Sequence, residues 1–308
     1  MPPNLPTVSV VIPARDAAET LPRAIASIQA QTYPNIVDVV VAASDDASAS
    51  SADGARVVHN PDGSTPVGLN LAIANSTGEV IVRCDAQSVL PPDYVARAVE
   101  TLERTGAANV GGRQVPVGET PWQRAIARAM TSPFGAGDAR YRIGGEEGPV
   151  ETVYLGVFRR DALERLGGFD EGFKRNQDYE LNHRLIGAGE QVWFDPRLEV
   201  TYTPRGSLGE LARQYFQYGR AKRQFIRRHP GGLRWRQIAP PLLVVDLMLA
   251  LVASLWIPWF LLIPAAYLLG LLAVGLGAGR DALRMAAALG TMHISWGLGF
   301  LSPVGGER

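Results

Sequence analysis

The chain has 308 residues, enough for one large or two smaller domains with a sizeable core. Its hydrophobic content of 46% excludes a disordered or fibrous chain. The formal net charge is zero, but residues 1–204 carry 18 basic and 26 acidic residues, and residues 205–236 carry 9 and 1. A single cysteine, Cys84, excludes an intramolecular disulfide and any metal site made of several cysteines.

Short β-rich runs alternate with amphipathic helical patterns in the first two thirds of the chain, which predicts a mostly parallel α/β domain. The pattern predicts strands at 8–12, 37–42, 55–58, 80–84, 108–115 and 152–158. It predicts helices at 20–31, 66–75, 91–104 and 178–188. Residues 131–148, which are rich in glycine and charge, predict a long loop.

The last third has a different character. Residues 207–229 form a basic amphipathic helical pattern, which suits either a membrane surface or a solvated helix packed on the domain. Three apolar stretches follow at 241–257, 259–276 and 285–301, each slightly shorter than the roughly 20 residues of a spanning helix. We expect a membrane hairpin plus a third segment, or alternatively a re-entrant or half-immersed hairpin. The basic residues flanking the hairpin predict that the α/β domain faces the cytoplasm.

Asp85 directly follows a predicted strand, and in open α/β sheets ligands bind at the carboxyl ends of strands. A carboxylate there can hold Mg²⁺ or Mn²⁺ against a diphosphate, because such ions take few protein ligands and keep oxygens of the substrate. A carboxylate that only caps the loop is the simpler interpretation of Asp85 taken alone.

Asp178 begins a predicted helix whose Leu181 and Leu185 face the core. It is either an N-cap, favoured by the helix dipole, or a general base at the mouth of a site. The dipole lowers the pKa of such a carboxyl group and burial raises it, and the sequence leaves the balance open. Gln217 and Arg220, inside the basic helix, belong on their own to a charged face.

In this order and spacing the segments resemble the family 2 inverting glycosyltransferases of the GT-A fold, over about residues 7–230. Residues 8–15 resemble the opening strand and nucleotide-binding turn, which implies donor contacts from Pro13, Ala14, Arg15 and Asp16. Asp85-Ala86-Gln87 lies where the family has its Asp-x-Asp metal motif, which implies Asp85 and Gln87 as ligands of a divalent cation.

Gly167-Gly168-Phe169-Asp170 and Gln177-Asp178 resemble the family's Gly-Gly-Phe-Asp and Glu-Asp pair, which implies that Asp178 is the catalytic base. Gln217-x-x-Arg220 occupies the place of the Gln-x-x-Arg-Trp motif and implies binding of the nucleotide sugar. Within the family the motifs look most like bacterial succinoglycan-type glucosyltransferases, which extend lipid-linked exopolysaccharide precursors and have carboxy-terminal membrane segments.

Three departures from the family pattern matter. The acids expected after the second strand are displaced by about two positions, so that Asp45 becomes the candidate for base or ribose recognition. Gln87 replaces the last carboxylate of the metal motif. Ala221 replaces a tryptophan that helps processive synthases to hold a growing glycan, which favours the addition of a single sugar.

The resemblance divides the chain into a GT-A catalytic domain (1–204), a basic interfacial region (205–236) and a membrane anchor of two to three spans (237–308). It implies transfer of one hexose from a nucleotide sugar, of which a UDP-sugar is favoured, to a polyprenyl-linked or saccharide acceptor at the bacterial inner membrane. Membrane lipids are expected partners, and nucleic acid is not, since no nucleic-acid motif accompanies the basic stretch. The alternatives are a synthase that glycosylates polyprenyl phosphate, or a non-catalytic membrane scaffold derived from a transferase.

Overall fold

The structure is a computed structural model that describes residues 5–303. Its first elements are β1 (Val8–Ala14), α1 (Leu21–Gln29), β2 (Ile36–Ala43), α2 (Asp46–Ser50), β3 (Arg56–His59), α3 (Thr65–Ala74), β4 (Val80–Arg83), α4 (Tyr94–Thr105) and β5 (Asn109–Pro116). Then come α5 (Pro121–Thr131), α6 (Pro133–Ala136), α7 (Arg140–Ile143), β6 (Gly148–Pro149), β7 (Tyr154–Arg159), α8 (Arg160–Arg165), α9 (Gln177–Gly187) and β8 (Val192–Tyr202). The chain continues with α10 (Leu208–Arg228), α11 (Trp235–Ala253), α12 (Leu262–Leu276) and α13 (Ala282–Leu301).

The described chain divides into two compact units. The first unit contains the residues up to Val115 together with Gly144–Tyr202, and the second contains Pro116–Ile143 together with the residues from Thr203 onward. Residues 116–143, expected inside a continuous 1–204 domain, therefore cluster with the carboxy-terminal helices. With this division the two units carry opposite net charges. The first unit has 14 basic and 24 acidic residues, and the second has 16 basic and 6 acidic residues.

The first unit is built on one mixed sheet with the strand order β3-β2-β1-β4-β7-β5-β8-β6. β1 pairs in parallel with both β2 and β4, and β3 pairs in parallel with β2. β7 runs antiparallel to β4 and β5, and β6 runs antiparallel to β8. The parallel half confirms the α/β expectation, and it brings the carboxyl ends of β1, β2 and β4 to one edge of the sheet.

The parallel strands are buried on both faces, which explains their continuous apolar sequences. In β1, Val10 and Ile12 contribute to one hydrophobic cluster, and Val11 between them contributes to the cluster on the opposite face. All three side chains are fully buried. Fully burying one such side chain stabilises the fold by about 1.5–3 kcal/mol. β1 is therefore held firmly in the sheet, and it fixes the position of residues 13–16, which are its last two residues and the turn that follows.

β8 contains a buried carboxylate, Asp195, that is satisfied by hydrogen bonds. Its Oδ2 accepts from Thr101 Oγ1 at 2.7 Å and from Arg197 Nη2 at 2.9 Å, and its Oδ1 accepts from the Arg197 backbone N–H at 2.9 Å. Burial alone raises the pKa of a carboxyl group, but here the bonds from Arg197 and Thr101 outweigh it and hold the pKa of Asp195 below its usual value. The charged form of Asp195 therefore ties α4 to β8.

Residues 131–148 were expected to form a long loop, and this prediction is wrong in part. Within this segment, Pro133–Ala136 and Arg140–Ile143 form short helices, and Gly148 lies in a two-residue strand. Ser132 starts the first of these helices by accepting a hydrogen bond from the Phe134 N–H at 3.2 Å. Such local side-chain capping does not depend on hydrophobic periodicity, and therefore the sequence pattern gave no sign of it.

In the second unit, α13 packs closely against α10. A Cβ atom added at Gly219 of α10 would lie 2.1 Å from the Trp296 carbonyl oxygen, and one added at Gly299 of α13 would lie 2.1 Å from the Phe216 carbonyl oxygen. Arg223 of α10 donates from Nη1 to the carbonyl oxygens of Phe300 at 3.1 Å and Leu301 at 2.6 Å, near the end of α13. These close backbone contacts require glycine, and the arginine satisfies terminal helix carbonyls.

Among the described residues, two helical segments are long and apolar enough to cross a membrane, Trp235–Ala253 and Pro258–Leu276. The second begins with a 3₁₀ turn, Pro258–Leu261, that leads directly into α12. Large apolar side chains are exposed along both, including Leu249 at 64% and Trp259 at 76%. α13 does not belong to this pair, and seven of its residues are buried.

Candidate active site

The edge formed by the carboxyl ends of β1, β2 and β4 collects most of the predicted site residues of the first unit. Pro13 and Ala14 complete β1, and Arg15 and Asp16 form the turn that follows it. Asp45 follows β2, and Asp85 follows β4. β1 lies between the other two strands, so all three loops open at the same edge.

Arg83, the last residue of β4, links the two carboxylates that matter most in the site. Its Nη2 and Nε donate to Asp85 Oδ1 at 2.8 Å and 3.2 Å. Its Nη1 donates to Asp178 Oδ1, in a contact with the first turn of α9. The guanidinium side chain is only 7% exposed, while those of Asp85 and Asp178 are 24% and 32% exposed. One buried cation thus holds two partly exposed carboxylates beside each other.

The pKa balance of Asp178, which the sequence left open, is decided by burial. Burial raises the pKa of Asp178 above its usual value, and the nearby Arg83 guanidinium lowers it by a smaller amount. Burial of Arg83 disfavours its charge, but Asp178 and Asp85 outweigh that effect and raise the pKa of Arg83, which therefore stays protonated. Asp178 is thus more basic than an ordinary aspartate, as a proton acceptor needs to be.

The turn formed by Gly167 and Gly168 is fastened to α9, which begins at Gln177. Both glycines have positive φ values, 74° and 72°, that other residues rarely adopt. Arg184 of α9 donates from Nη2 to the Gly168 carbonyl oxygen at 2.8 Å and is itself paired with Glu180. The Gly-Gly-Phe-Asp segment therefore has a structural role, which is to fix the chain that leads to Asp178.

Asp45, the candidate for recognition of the base or ribose, is the N-cap of α2. Its Oδ1 accepts from the Ser48 N–H at 2.8 Å, and its Oδ2 accepts from Ser48 Oγ at 2.8 Å and from the Asp16 N–H at 2.9 Å. The backbone N–H groups of Ser48 and Asp16 hold the pKa of Asp45 below its usual value. Both oxygens are therefore engaged in joining the loops after β1 and β2, and Asp16 is fixed at a φ of 51°.

The turn after β1 leaves its charged side chains in solvent. Arg15 and Asp16 form an ion pair of 3.6 Å whose side chains are 69% and 85% exposed. Exposed ion pairs of this kind contribute about 0–1 kcal/mol, so both groups are free to exchange partners. They are available to a ligand that binds at this edge.

Asp85 fits a divalent cation that a diphosphate helps to hold. Its Oδ1 is bound by Arg83, and among the hydrogen bonds that the structure gives for residues 5–303 none engages Oδ2. Gln87 is exposed two residues later. No cluster of three or more His, Cys, Asp or Glu side chains suited to a metal occurs in the described part of the chain. The residues therefore suit Mg²⁺ or Mn²⁺, which are bound through one or two carboxylates plus substrate phosphates.

Sequence reasoning missed Tyr154, which lies close to Asp85. Burial, followed by the Asp85 carboxylate, raises the pKa of the Tyr154 hydroxyl, so that it stays protonated. The neighbouring residue Leu155 has a φ of 45°, a costly value for a bulky side chain, and the pairing of β5 with β7 shifts register between Val110 and Gly112. Such irregularities redirect side chains next to active sites.

Arg83 was also given no role by the sequence analysis. The sequence did contain an indication of this role, because Arg83 is the single charged residue in the apolar strand Val80–Arg83. In the structure it is 6% exposed. A buried arginine needs carboxylate partners, and Asp85 two residues away is the nearest in sequence. Its second partner, Asp178, is separated from it by 95 residues and becomes apparent only in the fold.

Gln217 and Arg220 lie on α10 in the second unit, on the exposed side of that helix. The opposite side of α10 is buried through Leu211, Tyr215 and Phe225. This arrangement shows that both residues are available to a ligand.

The comparisons with known proteins now identify the class to which this fold and site belong. The family model of glycosyl transferase family 2 matches residues 9–167, more than half of the chain. The chain belongs to glycosyl transferase family 2.

Among curated relatives, the succinoglycan biosynthesis protein ExoA of Rhizobium meliloti is 30% identical over 314 residues, which cover 94% of this chain and 93% of the relative. A pre-mycofactocin glycosyltransferase of Mycobacterium tuberculosis is 29% identical over 74% of this chain and 50% of its own length. The chain is therefore a glycosyltransferase related to proteins of exopolysaccharide biosynthesis, and the expected family and enzyme class are confirmed.

Solved structures support the same fold. The mannosyltransferase PcManGT of Pyrobaculum calidifontis, in complex with GDP-Man and Mn²⁺, has a TM-score of 0.60 at 19% identity, covering 94% of this chain and 86% of that one. TarS 1-349 of S. aureus in complex with UDP has a TM-score of 0.52 at 13% identity, over 71% of this chain and 65% of that one. These similarities confirm the GT-A fold.

Proposed function

We propose that the chain is an inverting glycosyltransferase that moves a single hexose from a nucleotide sugar to a lipid-linked saccharide acceptor. The observation that carries the proposal is the bridge made by Arg83. It sets the carboxylate expected to face the donor diphosphate, Asp85, beside the carboxylate expected to activate the acceptor, Asp178. Inverting transfer needs both groups, since departure of the diphosphate and attack of the acceptor hydroxyl occur together on opposite faces of the sugar.

Asp178 acts as the general base in this proposal. Burial keeps its pKa above the ordinary value for aspartate, and its 32% exposure leaves a path to an acceptor hydroxyl. As the hydroxyl oxygen attacks the anomeric carbon, its proton moves to the free oxygen of Asp178. The bond from the anomeric carbon to the diphosphate oxygen breaks, and the sugar passes through an oxocarbenium-like state, as in glycoside hydrolysis. No covalent intermediate is required.

The donor lies along the edge formed by residues 13–16, Asp45 and Asp85. Asp45 supports this site indirectly, by holding the Asp16 N–H and the start of α2 in place. Asp85 and Gln87 would hold Mg²⁺ or Mn²⁺, which would supply neutralisation of charge on the departing diphosphate. The complexes of PcManGT with GDP-Man and Mn²⁺ and of TarS with UDP support a nucleotide-sugar donor, and we favour UDP.

The second unit provides the membrane attachment in this proposal. The helices of residues 235–253 and 258–276 form a hairpin that spans the bacterial inner membrane, supported by their length and their exposed apolar side chains. α13 lies outside the hydrocarbon region, because it packs along the basic helix α10. The excess of basic residues in this unit supports a cytoplasmic position for α10 and the Arg280–Arg284 segment.

The acceptor is a polyprenyl-linked saccharide. The relationship to a succinoglycan biosynthesis protein supports a glycan acceptor, and the membrane hairpin supports a lipid-linked one.

Arg220 and Gln217 present a cation and an amide that bind phosphate oxygens of the nucleotide sugar, to which the planar guanidinium is well matched.

The test is a donor screen on the full chain in lipid nanodiscs, measuring release of UDP, GDP or dTDP with Mn²⁺ and a bacterial lipid extract. Asp178→Asn should lower the transfer rate by about 10²–10⁴-fold, the usual contribution of a general base, with donor binding retained. Asp161→Asn serves as the matched control, since Asp161 is a surface carboxylate of α8 paired with Arg165.

A wild-type rate for Asp178→Asn with the donor bound would contradict the assignment of the base. Absence of metal-dependent nucleotide binding would instead support the scaffold interpretation. A product formed on polyprenyl phosphate, in the absence of any lipid-linked sugar, would support the synthase.

A further inference from the structure

The second unit contains a cavity that the transfer reaction does not use. It has a volume of about 450 Å³ and lies where the α5–α6 segment meets the end of α12 and the start of α13. Polar lining comes from Arg128, Thr131 and Ser132, and apolar lining comes chiefly from Phe134, Val274 and Met285. A pocket lined by both a cation and apolar side chains suits an amphipathic anion.

The cation in this cavity has no carboxylate partner among the ion pairs that the structure gives for residues 5–303. Arg128 Nη1 donates to the Ala278 carbonyl oxygen at 2.5 Å, which leaves the rest of its guanidinium available. The neighbouring arginines differ in this respect: Arg284 pairs with Asp281 at 3.1 Å, and Arg124 approaches it at 3.9 Å. Asp281 is therefore already shared, and Arg128 retains its charge for a ligand.

A second donor lies beside it. Ser132 Oγ accepts the hydrogen bond from the Phe134 N–H, and within residues 5–303 its hydroxyl donates to no protein acceptor. A guanidinium and a hydroxyl from residues four apart in the same lining segment match the oxygens of a phosphodiester. The apolar part of the ligand has a surface as well, because Phe134 is 63% exposed and Leu276, next to the cavity, is 72% exposed.

The position of the cavity decides what kind of phosphate reaches it. Val274 and Gly277 lie at the last turn of the candidate span Pro258–Leu276, the level at which headgroups meet water if the segment crosses the membrane. We propose that the cavity binds the phosphodiester headgroup of an anionic phospholipid, which fixes the α5–α6 segment to the membrane surface. The inference rests on the proposed membrane placement of α12, and it is independent of the transfer chemistry.

The experiment measures binding of dihexanoyl phosphatidylglycerol and dihexanoyl phosphatidylcholine to the full chain in a neutral detergent, by native mass spectrometry or calorimetry. The wild-type protein should prefer the anionic lipid. Arg128→Gln should weaken phosphatidylglycerol binding about fivefold, the factor expected for one basic residue at a lipid surface, and should leave phosphatidylcholine binding unchanged.

Two further variants separate the cavity from general electrostatics. Arg23→Gln makes the same change of charge on the exposed side of α1 and should keep the preference. Gly277→Leu keeps Arg128 and adds an apolar side chain at the lining of the cavity. Gly277 has a φ of −61°, and an added Cβ meets one atom, the Val274 carbonyl oxygen, at 3.5 Å. This variant should lose binding as Arg128→Gln does.

Absence of a wild-type preference for phosphatidylglycerol would overturn the proposal, and so would a preference that survives both Arg128→Gln and Gly277→Leu. Because neither sugar donor nor acceptor is present in this assay, its result does not depend on the proposed glycosyl transfer.

Discussion

Replacing Arg83 by methionine should destabilise the first unit by about 3 kcal/mol. Removing one partner of a buried ion pair costs about 3–5 kcal/mol, because the remaining charge is left uncompensated. Arg83 is 7% exposed, but its partners Asp85 and Asp178 keep 24% and 32% exposure, so solvent screens part of the loss and we take the lower value. In a domain of 150–250 residues each kcal/mol shifts the unfolding midpoint by about 2–4 °C, which gives about 6–12 °C here.

The reasoning is tested by a double-mutant cycle followed by circular dichroism at one scan rate, with the full chain in detergent. Asp178→Asn alone leaves Arg83 its bond to Asp85 and should change the midpoint less than Arg83→Met does. The double variant Arg83→Met/Asp178→Asn should recover about 0.5–3 kcal/mol relative to Arg83→Met, because the carboxylate left without a partner is gone. A double variant that unfolds at or below the midpoint of Arg83→Met would refute the pairing.

Three further predictions concern the supporting structure. Asp45→Ala should lower the unfolding temperature and weaken nucleotide binding in calorimetry, whereas Asp46→Ala, which removes an exposed carboxylate that does not cap α2, should do neither. Asp195→Asn should lose about 1.5–3 kcal/mol at neutral pH in denaturant titrations. Because its folded pKa lies below the unfolded one, that stabilisation is fully present above the unfolded pKa and is lost as the pH falls through the folded pKa. Gly219→Ala should cost about 1–3 kcal/mol and increase proteolysis of the α10–α13 pair, since its Cβ would meet the Trp296 carbonyl at 2.1 Å.

Much of the first unit follows from local patterns in the sequence. The parallel strands β1, β2 and β4 are continuous apolar runs, and all three were predicted to within two residues. The strand β8 was not predicted, because its exposed positions carry charged residues and its middle contains Pro196, which together look like a loop. Pairing with the neighbouring strands β5 and β6 stabilises β8 despite that local composition.

The candidate site also combines features that the sequence predicts with features that only the fold reveals. Asp85 and Asp178 could be selected from the sequence because they match motifs of the family that the chain resembles; taken alone, each could also be a cap. Their proximity could not be predicted, because it depends on Arg83 and on the path of the chain between β4 and α9. The shift of the acids after β2 puts Asp45 at the N-cap of α2, where backbone N–H groups bind its carboxylate, and these contacts become apparent only in the fold.

The basic residues of α10 also need to be distinguished from one another. Arg223, Arg227 and Arg228 all belong to the basic stretch, but Arg223 donates to the carbonyl oxygens at the end of α13. Its removal would therefore disturb helix packing and membrane attraction at once. Neutralising Arg213 and Arg227, both exposed, changes the surface charge without that structural loss.

The charge of the site gives a physical reason for binding of metal and donor to be coupled. Asp85 and Asp178 with Arg83 amount to a formal charge of −1, and Gln87 adds none. In the proposed function, a divalent cation held by Asp85 would find a guanidinium already bound to one oxygen of that carboxylate, which opposes cation binding when the donor is absent. A nucleoside diphosphate supplies the negative charge that the substitution by Gln87 removes. Cation and donor should then each raise the affinity of the other, and by linkage the two factors are equal.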